Sequence, residues 1–478
     1  MACSRFELFF SAMLQAFRIV ELGMHRLTIL TILALTLIET VYAGTKPDSD
    51  TRFSSQLFDP PSINGTGKGV QEPFDPNAPP KPSIRIAPYL TLGGQASIES
   101  KTERNFGVSG DPDDDFSYFE SYLSLAFLFD PNKHIQIYAN PIIRKRVAFE
   151  EPQNKIQDPQ LEMNLAYLGL SKFIGNTSLY VGRQRFKDPR RWLFGENLDA
   201  AKLAYQNDKF SMEFSASRKN KFEFDFLNKD PLDSGAKFIN YYSYLKYEVN
   251  KKTDIGFFVL YQDDQSITDQ HPIQFGIQSE GEIIKHLDYW VQGALVRGTD
   301  KFKKIRGEAI DVGFTYQFDT RLKPSITLGY AYGSGDKNSN DDVDTAFRQS
   351  GFQDNEDKFN GVTRLQYYGE ILNPRLSNLM IFTSGIGIRP SQRSSVDVVY
   401  HYISQVYASD RISGDDLNTN PTGLNSDIGS ELDLVAGYQE IKNINTKFVL
   451  GYFWPGRAFP ETASDGAFLA KLQARYSF

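Results

Sequence analysis

Cysteine is almost missing from this chain. The one cysteine in 478 residues is Cys3, so the remainder can form neither internal disulfides nor Cys-based zinc sites. Histidine is scarce as well, with five residues scattered along the chain. No metal-spaced His cluster and no Gly-rich phosphate loop appears. Beyond Ala43 there is no uninterrupted apolar run long enough for a transmembrane helix. An excess of basic charge is lacking too: 52 Lys and Arg face 59 Asp and Glu, a net charge of −7. That balance argues against nucleic acid as the main partner.

What the chain has instead is alternation. From Phe468 to Phe478, Phe468, Ala470, Leu472, Ala474, Tyr476 and Phe478 share one face, and Lys471, Gln473, Arg475 and Ser477 the other. Period-two alternation is a strand with one apolar and one polar face. A strand that ends on Phe is also how outer-membrane barrels end, with the aromatic at the headgroup girdle. The same pattern recurs over 117–129, where Phe119, Leu123, Leu125, Phe127 and Phe129 oppose Glu120, Tyr122, Ser124 and Ala126. It recurs again around Ile239–Val249, Ile310–Phe318 and Leu432–Tyr438. The 25 Tyr and 37 Phe suit such a chain, because only every second strand residue needs to face lipid.

The N-terminus reads as an export signal. Met24, His25 and Arg26 precede the apolar run Leu27 to Ile38, and Val41-Tyr42-Ala43 supplies small residues for cleavage after Ala43. Residues 1–43 are therefore expected to be an N-terminal extension plus signal peptide, with Met24 as the start. Residues 44–83, rich in Pro, Gly, Asp and Ser, are expected to be a disordered linker. From residue 84 to 478 roughly 18 strand-like segments follow, the range of large outer-membrane barrels. Short connections such as Asp130–Lys133, Asn250–Thr253 and Arg389–Ser394 alternate with mostly long polar ones such as 186–198, 334–377 and 407–427. A soluble sandwich has no reason to segregate loop lengths in this way. The expected fold is an all-β transmembrane antiparallel barrel in the bacterial outer membrane, with short periplasmic turns and long extracellular loops.

The lumen chemistry is read from inward polar positions. On 134–148, Gln136, Tyr138, Asn140, Arg144 and Arg146 share a face, opposite Ile135, Ile137, Ala139 and Ile143. Arginine facing lipid would cost ~2–4 kcal/mol near the midplane, so Arg144 and Arg146 point to the lumen or the outer rim. The same cost argument turns Arg183 and Arg185 inward, with Tyr180, Gly182 and Phe186 outward, unless a bulge inverts the phase. Guanidinium forks bind carboxylates in pairs of hydrogen bonds. These arginines either favour anionic solutes at a constriction or pair with lumen acids such as Glu120 and Glu162 and brace the wall. Glu248, Asp311, Asp397, Glu431 and Asp433 make the expected lumen mixed in charge. Asp336, Asn338, Asn340 and Asp342 alternate oxygen ligands as calcium loops do, but the later Glu of an EF-hand is missing. They also read as a solvated acidic loop, so a structural calcium ion is only a weak candidate. No other cofactor is expected. No catalytic residue is expected either, because His401 has no compelling Ser motif beside it.

The segment Gly182-Arg183-Gln184-Arg185-Phe186, followed by Trp192 and by Asn197-Leu198-Asp199-Ala200, resembles the Gly-Arg-Gln signature region of alginate-export outer-membrane proteins. Tyr367-Tyr368-Gly369-Glu370 with Leu376-Ser377-Asn378-Leu379, after Ser334-Gly335-Asp336, resembles that family's long-loop region. The resemblance covers about residues 84–478. It implies an 18-stranded monomeric barrel whose Arg-rich pore passes an anionic polysaccharide outward, with Arg183 and Arg185 as pore arginines and Asp199 as their acidic partner. Arg190-Arg191 inside a loop, the Pro-rich lead-in and the mixed lumen are departures from the pattern. The expected partners are membrane lipid and lipopolysaccharide, an anionic polysaccharide or small anionic solute, and periplasmic export machinery. An uptake porin and a barrel with adhesive surface loops are the competing readings.

Overall fold

The computed structural model describes residues 79–111, 115–149, 158–219, 225–227, 238–266 and 269–478. The expected extension and signal peptide, and the linker up to residue 78, lie outside the described residues. Among the described residues the regular elements are all strands. One sheet holds 20 of them; two are short pieces, Ile84–Ala87 and Val343–Asp344, and the other 18 form the wall of a closed antiparallel barrel. Each wall strand pairs with its sequence neighbours. The first, Leu90–Arg104, then pairs with the last, Ala467–Ser477, from Gln95↔Ser477 to Arg104↔Phe468. Closure satisfies the backbone groups that an edge would leave bare in hydrocarbon.

The alternation has the expected effect on burial. Leu123 and Phe129 are exposed on strand Phe116–Asn132, while Ser124, Ala126 and Leu128 between them are buried. Ile143, Leu168, Leu203, Phe257, Ile277, Leu295, Ile310, Ile326, Phe382 and Leu432 continue an apolar outer band. Gln136, Asn140, Gln262, Gln274, Gln292, Thr327 and Asp433 occupy the inner face. Each outer aliphatic side chain gains about 1.5–3 kcal/mol on leaving water, so the band belongs in lipid. At the closing seam, Gly94 and Phe478 exchange backbone hydrogen bonds of 3.0 and 2.9 Å. A Cβ on Gly94 would stand 2.2 Å from the Phe478 ring, so the ring occupies the space that this glycine leaves.

Loop lengths segregate with two exceptions on the long-loop side, one of them the five-residue connection 265–269, shorter than the seven-residue turn 318–324 on the other side. The other, Lys301-Phe302 between strands Leu287–Asp300 and Lys303–Gln317, is a two-residue turn. At the start of the chain, the linker expected to end at residue 83 gives way earlier to ordered contacts, since Pro80 and Pro82 are buried.

The barrel is not empty. Connections 186–196 and 334–378 bring Trp192, Phe194, Phe347, Leu365, Tyr368, Ile371, Leu372 and Leu376 into one buried cluster with inward residues such as Leu260, Ile305, Val399 and Val449. A 16- to 18-stranded wall is too wide for its own side chains to fill, and these loops supply the missing core.

The wall predicts a sided response to charge. Ile310 sits mid-strand and is 41% exposed on the outer band. Ile310→Arg should destabilise the folded barrel by about 2–4 kcal/mol, read as an earlier midpoint in urea unfolding from lipid vesicles. An unchanged midpoint would mean that this face does not meet hydrocarbon.

Candidate functional site

The site is the meeting of the two inward loops with the wall. Local chemistry turns the first loop inward. The buried Asp188 carboxylate accepts the backbone N–H groups of Trp192, Leu193 and Phe194 at 3.1, 2.8 and 2.7 Å, and Gln278 Nε2 donates to it at 2.9 Å. This Asx-type turn carries Arg190 and Arg191 into the lumen.

Arg190 bridges wall and loop. It lies 3.7 Å from Asp311 on strand Lys303–Gln317 and 3.1 Å from Asp357 on the long loop. Its guanidinium also stacks on Trp290 and Tyr367, at 4.4 and 4.2 Å from their ring centroids. Asp311 in turn accepts Trp290 Nε1–H at 2.7 Å and Tyr368 O–H at 3.0 Å. Arg191 pairs with Glu356 and, at 3.3 Å, with Asp354.

Across the lumen, strand Asp427–Tyr438 holds the far end of the same loop. Glu431 accepts the N–H groups of Ile371 and Leu372 at 2.6 and 3.0 Å, and Asp433 accepts that of Glu370 at 3.3 Å. Gly369 turns the chain there with φ +113°, and a Cβ on it would stand 2.6 Å from Glu431 Oε2. Glu370 lies 3.4 Å from both Lys447 and Lys471. Burial alone would raise the Glu370 carboxyl, but the two lysines outweigh it and hold the group at about 2. At the other end, burial outweighs Arg191 and pushes the Asp354 carboxyl up to about 7, with Glu356 adding to the rise.

Of the residues expected from sequence, Arg144, Arg146, Arg183, Glu162 and Asp199 pair on another sector of the wall, while Arg185 reaches the loop. Arg144 pairs with Glu162. Arg146 pairs with Glu120 at 3.2 Å and lies over the Tyr118 ring at 4.3 Å. Arg183 lies 3.7 Å from Asp199, its cross-strand neighbour, and its Nε donates to the Asn164 carbonyl at 3.1 Å. Arg185 is buried within electrostatic reach of Asp354. The expected phase of this strand needs correction. Tyr180 and Phe186 are buried, not outward, and Val181 is exposed. Gly182 adopts φ +125°, and Arg183, Gln184 and Arg185 are then all buried, so strict alternation stops at this glycine.

In the acidic loop, Asp336 accepts the Asn338 N–H at 3.4 Å, Asn338 accepts the Asn340 N–H at 3.4 Å, and the Asp342 carbonyl accepts the Lys304 N–H at 2.8 Å. The Asp336 and Asn338 side-chain oxygens are thus engaged in local turns, and the Asp342 backbone ties the loop to strand Lys303–Gln317. His401 is buried, 3.0 Å from Thr383 Oγ1 and 3.7 Å from Asp433.

The profile of the Alginate export family matches residues 89–467. The chain belongs to that family. It is a bacterial outer-membrane β-barrel of channel architecture. The alginate production protein AlgE of Azotobacter vinelandii is 26% identical over 142 residues, which span 27% of each chain. Among solved structures, OpdQ of Pseudomonas aeruginosa superposes with TM-score 0.55 at 13% identity, covering 83% of this chain and 99% of that one. OccAB4 of Acinetobacter baumannii gives 0.54 at 12%, covering 84% and 100%. At such identities these two structures establish the shared fold.

Sequence reasoning for this family member missed the role of Arg190, Arg191, Glu370, Lys447 and Lys471. The available signal was Trp192-Leu193-Phe194, an apolar run inside a loop otherwise expected to meet water.

The two shifted carboxyls give the loop a pH dependence. The Asp354 contribution is fully present below its ordinary value of 3.8 and is lost as pH rises through about 7. The Glu370 contribution is fully present above 4.5 and is lost as pH falls towards about 2. Hydrogen exchange of residues 351–378, corrected for intrinsic rates, should therefore be slower at pH 5 than at pH 8. The opposite order would contradict the assignment.

Proposed function

We propose that the barrel passes an anionic polysaccharide, alginate-like in its carboxylate charge, or a related organic anion. Membership of the Alginate export family is the observation that carries this reading. The arginines Arg144, Arg146, Arg183 and Arg185 on one sector of the wall supply its chemistry. Three of them lie against Glu162, Glu120 and Asp199. A guanidinium that holds a protein carboxylate can exchange it for a solute carboxylate of the same geometry. A row of such exchanges lets a polyanion advance without a deep trap, because each site already has a competitor.

The barrel itself acts as a passive conduit, not an enzyme. Synthesis of the polymer or inner-membrane machinery drives export, since no nucleotide pool serves this membrane. A second reading is uptake of a smaller organic anion. It draws support from the long loop that crosses the lumen, which leaves a flexible monomer a shorter detour than a polymer.

The test is selectivity. In planar bilayers, Arg183→Glu with Arg185→Glu should reduce or invert the anion preference, read as the reversal potential in a salt gradient. Block of the native current by uronic-acid polymers would favour the polymer over the small anion. An unchanged reversal potential in the double variant would remove these arginines from the path.

A further inference from the structure

The inner wall at the short-turn end carries a feature that anion passage does not require. Residues 79–83 run along it from the strand Ile84–Ala87. Ser83 N–H donates to the Leu92 carbonyl at 2.8 Å. The next residues cross Gly93, which shares the inward face with Gln95 and Ser97. A Cβ on Gly93 would stand 2.3 Å from Lys81 O and 2.8 Å from Pro82 Cα. The cross-strand neighbour of Gly93 is Ala126, fully buried. A glycine and an alanine therefore clear a track on the wall.

The track leads to tyrosines. Tyr138 O–H donates to the Pro80 carbonyl at 3.1 Å. Its ring stacks on Tyr167, with centroids 5.4 Å apart, and Tyr167 meets Tyr180 edge-on at 6.2 Å. Leu128 and Leu165 complete this small buried cluster, which is separate from the main one. Pro80 and Pro82 are buried, and Lys81 between them is exposed. This is the physics by which proline-rich peptides are recognised. Proline has no N–H to strand on an apolar face, its backbone is already extended, and its carbonyl is free to accept an aromatic hydroxyl.

We propose that this tyrosine-lined wall is a docking surface for a proline-rich extended peptide. Its resident ligand is the chain's own Pro79–Pro82, which acts as a displaceable stopper of the periplasmic mouth. The stopper role rests on the channel reading above, whereas the docking does not. Gly93 is the residue that decides the matter, because a side chain there takes the place of the arm while the strand keeps its ladder.

The experiment uses the full chain in lipid bilayers, with a spin label on Lys81→Cys to report the arm. The label should be immobilised in the otherwise native chain and mobile in Gly93→Val. The Gly93→Val chain without the label should pass a larger mean current than native. Pro80→Ser with Pro82→Ser, which leaves the wall untouched, should repeat both changes should the valine variant fail to fold. A label equally mobile in all chains overturns the docking. A label freed by the substitutions with no change in current overturns the stopper alone. No current from any chain overturns the stopper together with the channel reading.

Discussion

A wall of 18 strands encloses more space than its own side chains can fill. Everything inside this barrel follows from that mismatch. The wall solves the lipid side by alternation and closure, and alternation alone would leave a wide aqueous tube. The chain occupies the tube by sending 334–378 across it and anchoring the crossing at both ends. Asp311 receives Arg190, Trp290 and Tyr368 on one side. On the other side Glu431 and Asp433 receive backbone N–H groups of residues 370–372. Buried ion pairs of this kind add little net stability but are costly to break from one side. Their effect is to specify where the loop lies.

The same anchors explain the mixed charge of the lumen. Read one by one, Asp311, Glu431 and Asp433 look like acids that would repel an anionic solute. In the folded barrel they are spent on the loop, each buried against a donor. The arginines sit elsewhere, on strands Ile135–Phe149 and Thr177–Arg185, where their partners are side-chain carboxylates. The wall is thus divided into a sector that holds the loop and a sector of arginine–carboxylate pairs. The overall net charge of −7 averages over these two sectors and reveals neither.

How much of this could be read from the chain depends on the range of each interaction. Strand 116–132 and the strands around Ile310 and Leu432 were legible residue by residue, because lipid and lumen impose a period of two on adjacent positions. Arg144 and Arg146 share the inward face for the same reason; which acid each meets is a cross-strand matter that the period of two does not specify. The phase of 177–185 was not legible, since one glycine at positive φ ends the alternation without altering composition. The turn at Lys301-Phe302 was hidden because two residues leave no compositional mark. The inward loop was harder still. Arg190 meets Asp357 across 167 positions, and nothing local says which wall a loop will touch. The proline arm had the opposite defect: its composition suggested disorder, and the glycine that seats it lies in a different segment.

The central claim is that the loop 334–378 is anchored across the lumen and, on the channel reading proposed above, must move for current to flow. The most direct measurement locks it in place. A Cβ on Gly451 would stand 3.0 Å from Ile371 Cγ1 and 2.8 Å from Asp433 Oδ1, so a disulfide between Ile371→Cys and Gly451→Cys is within reach once the Asp433 carboxylate shifts. Single-channel recording of this double variant should show current that disappears on oxidation and returns on reduction, with the native chain indifferent to both. Equal current in the oxidised and reduced states, with the crosslink verified, would contradict the account.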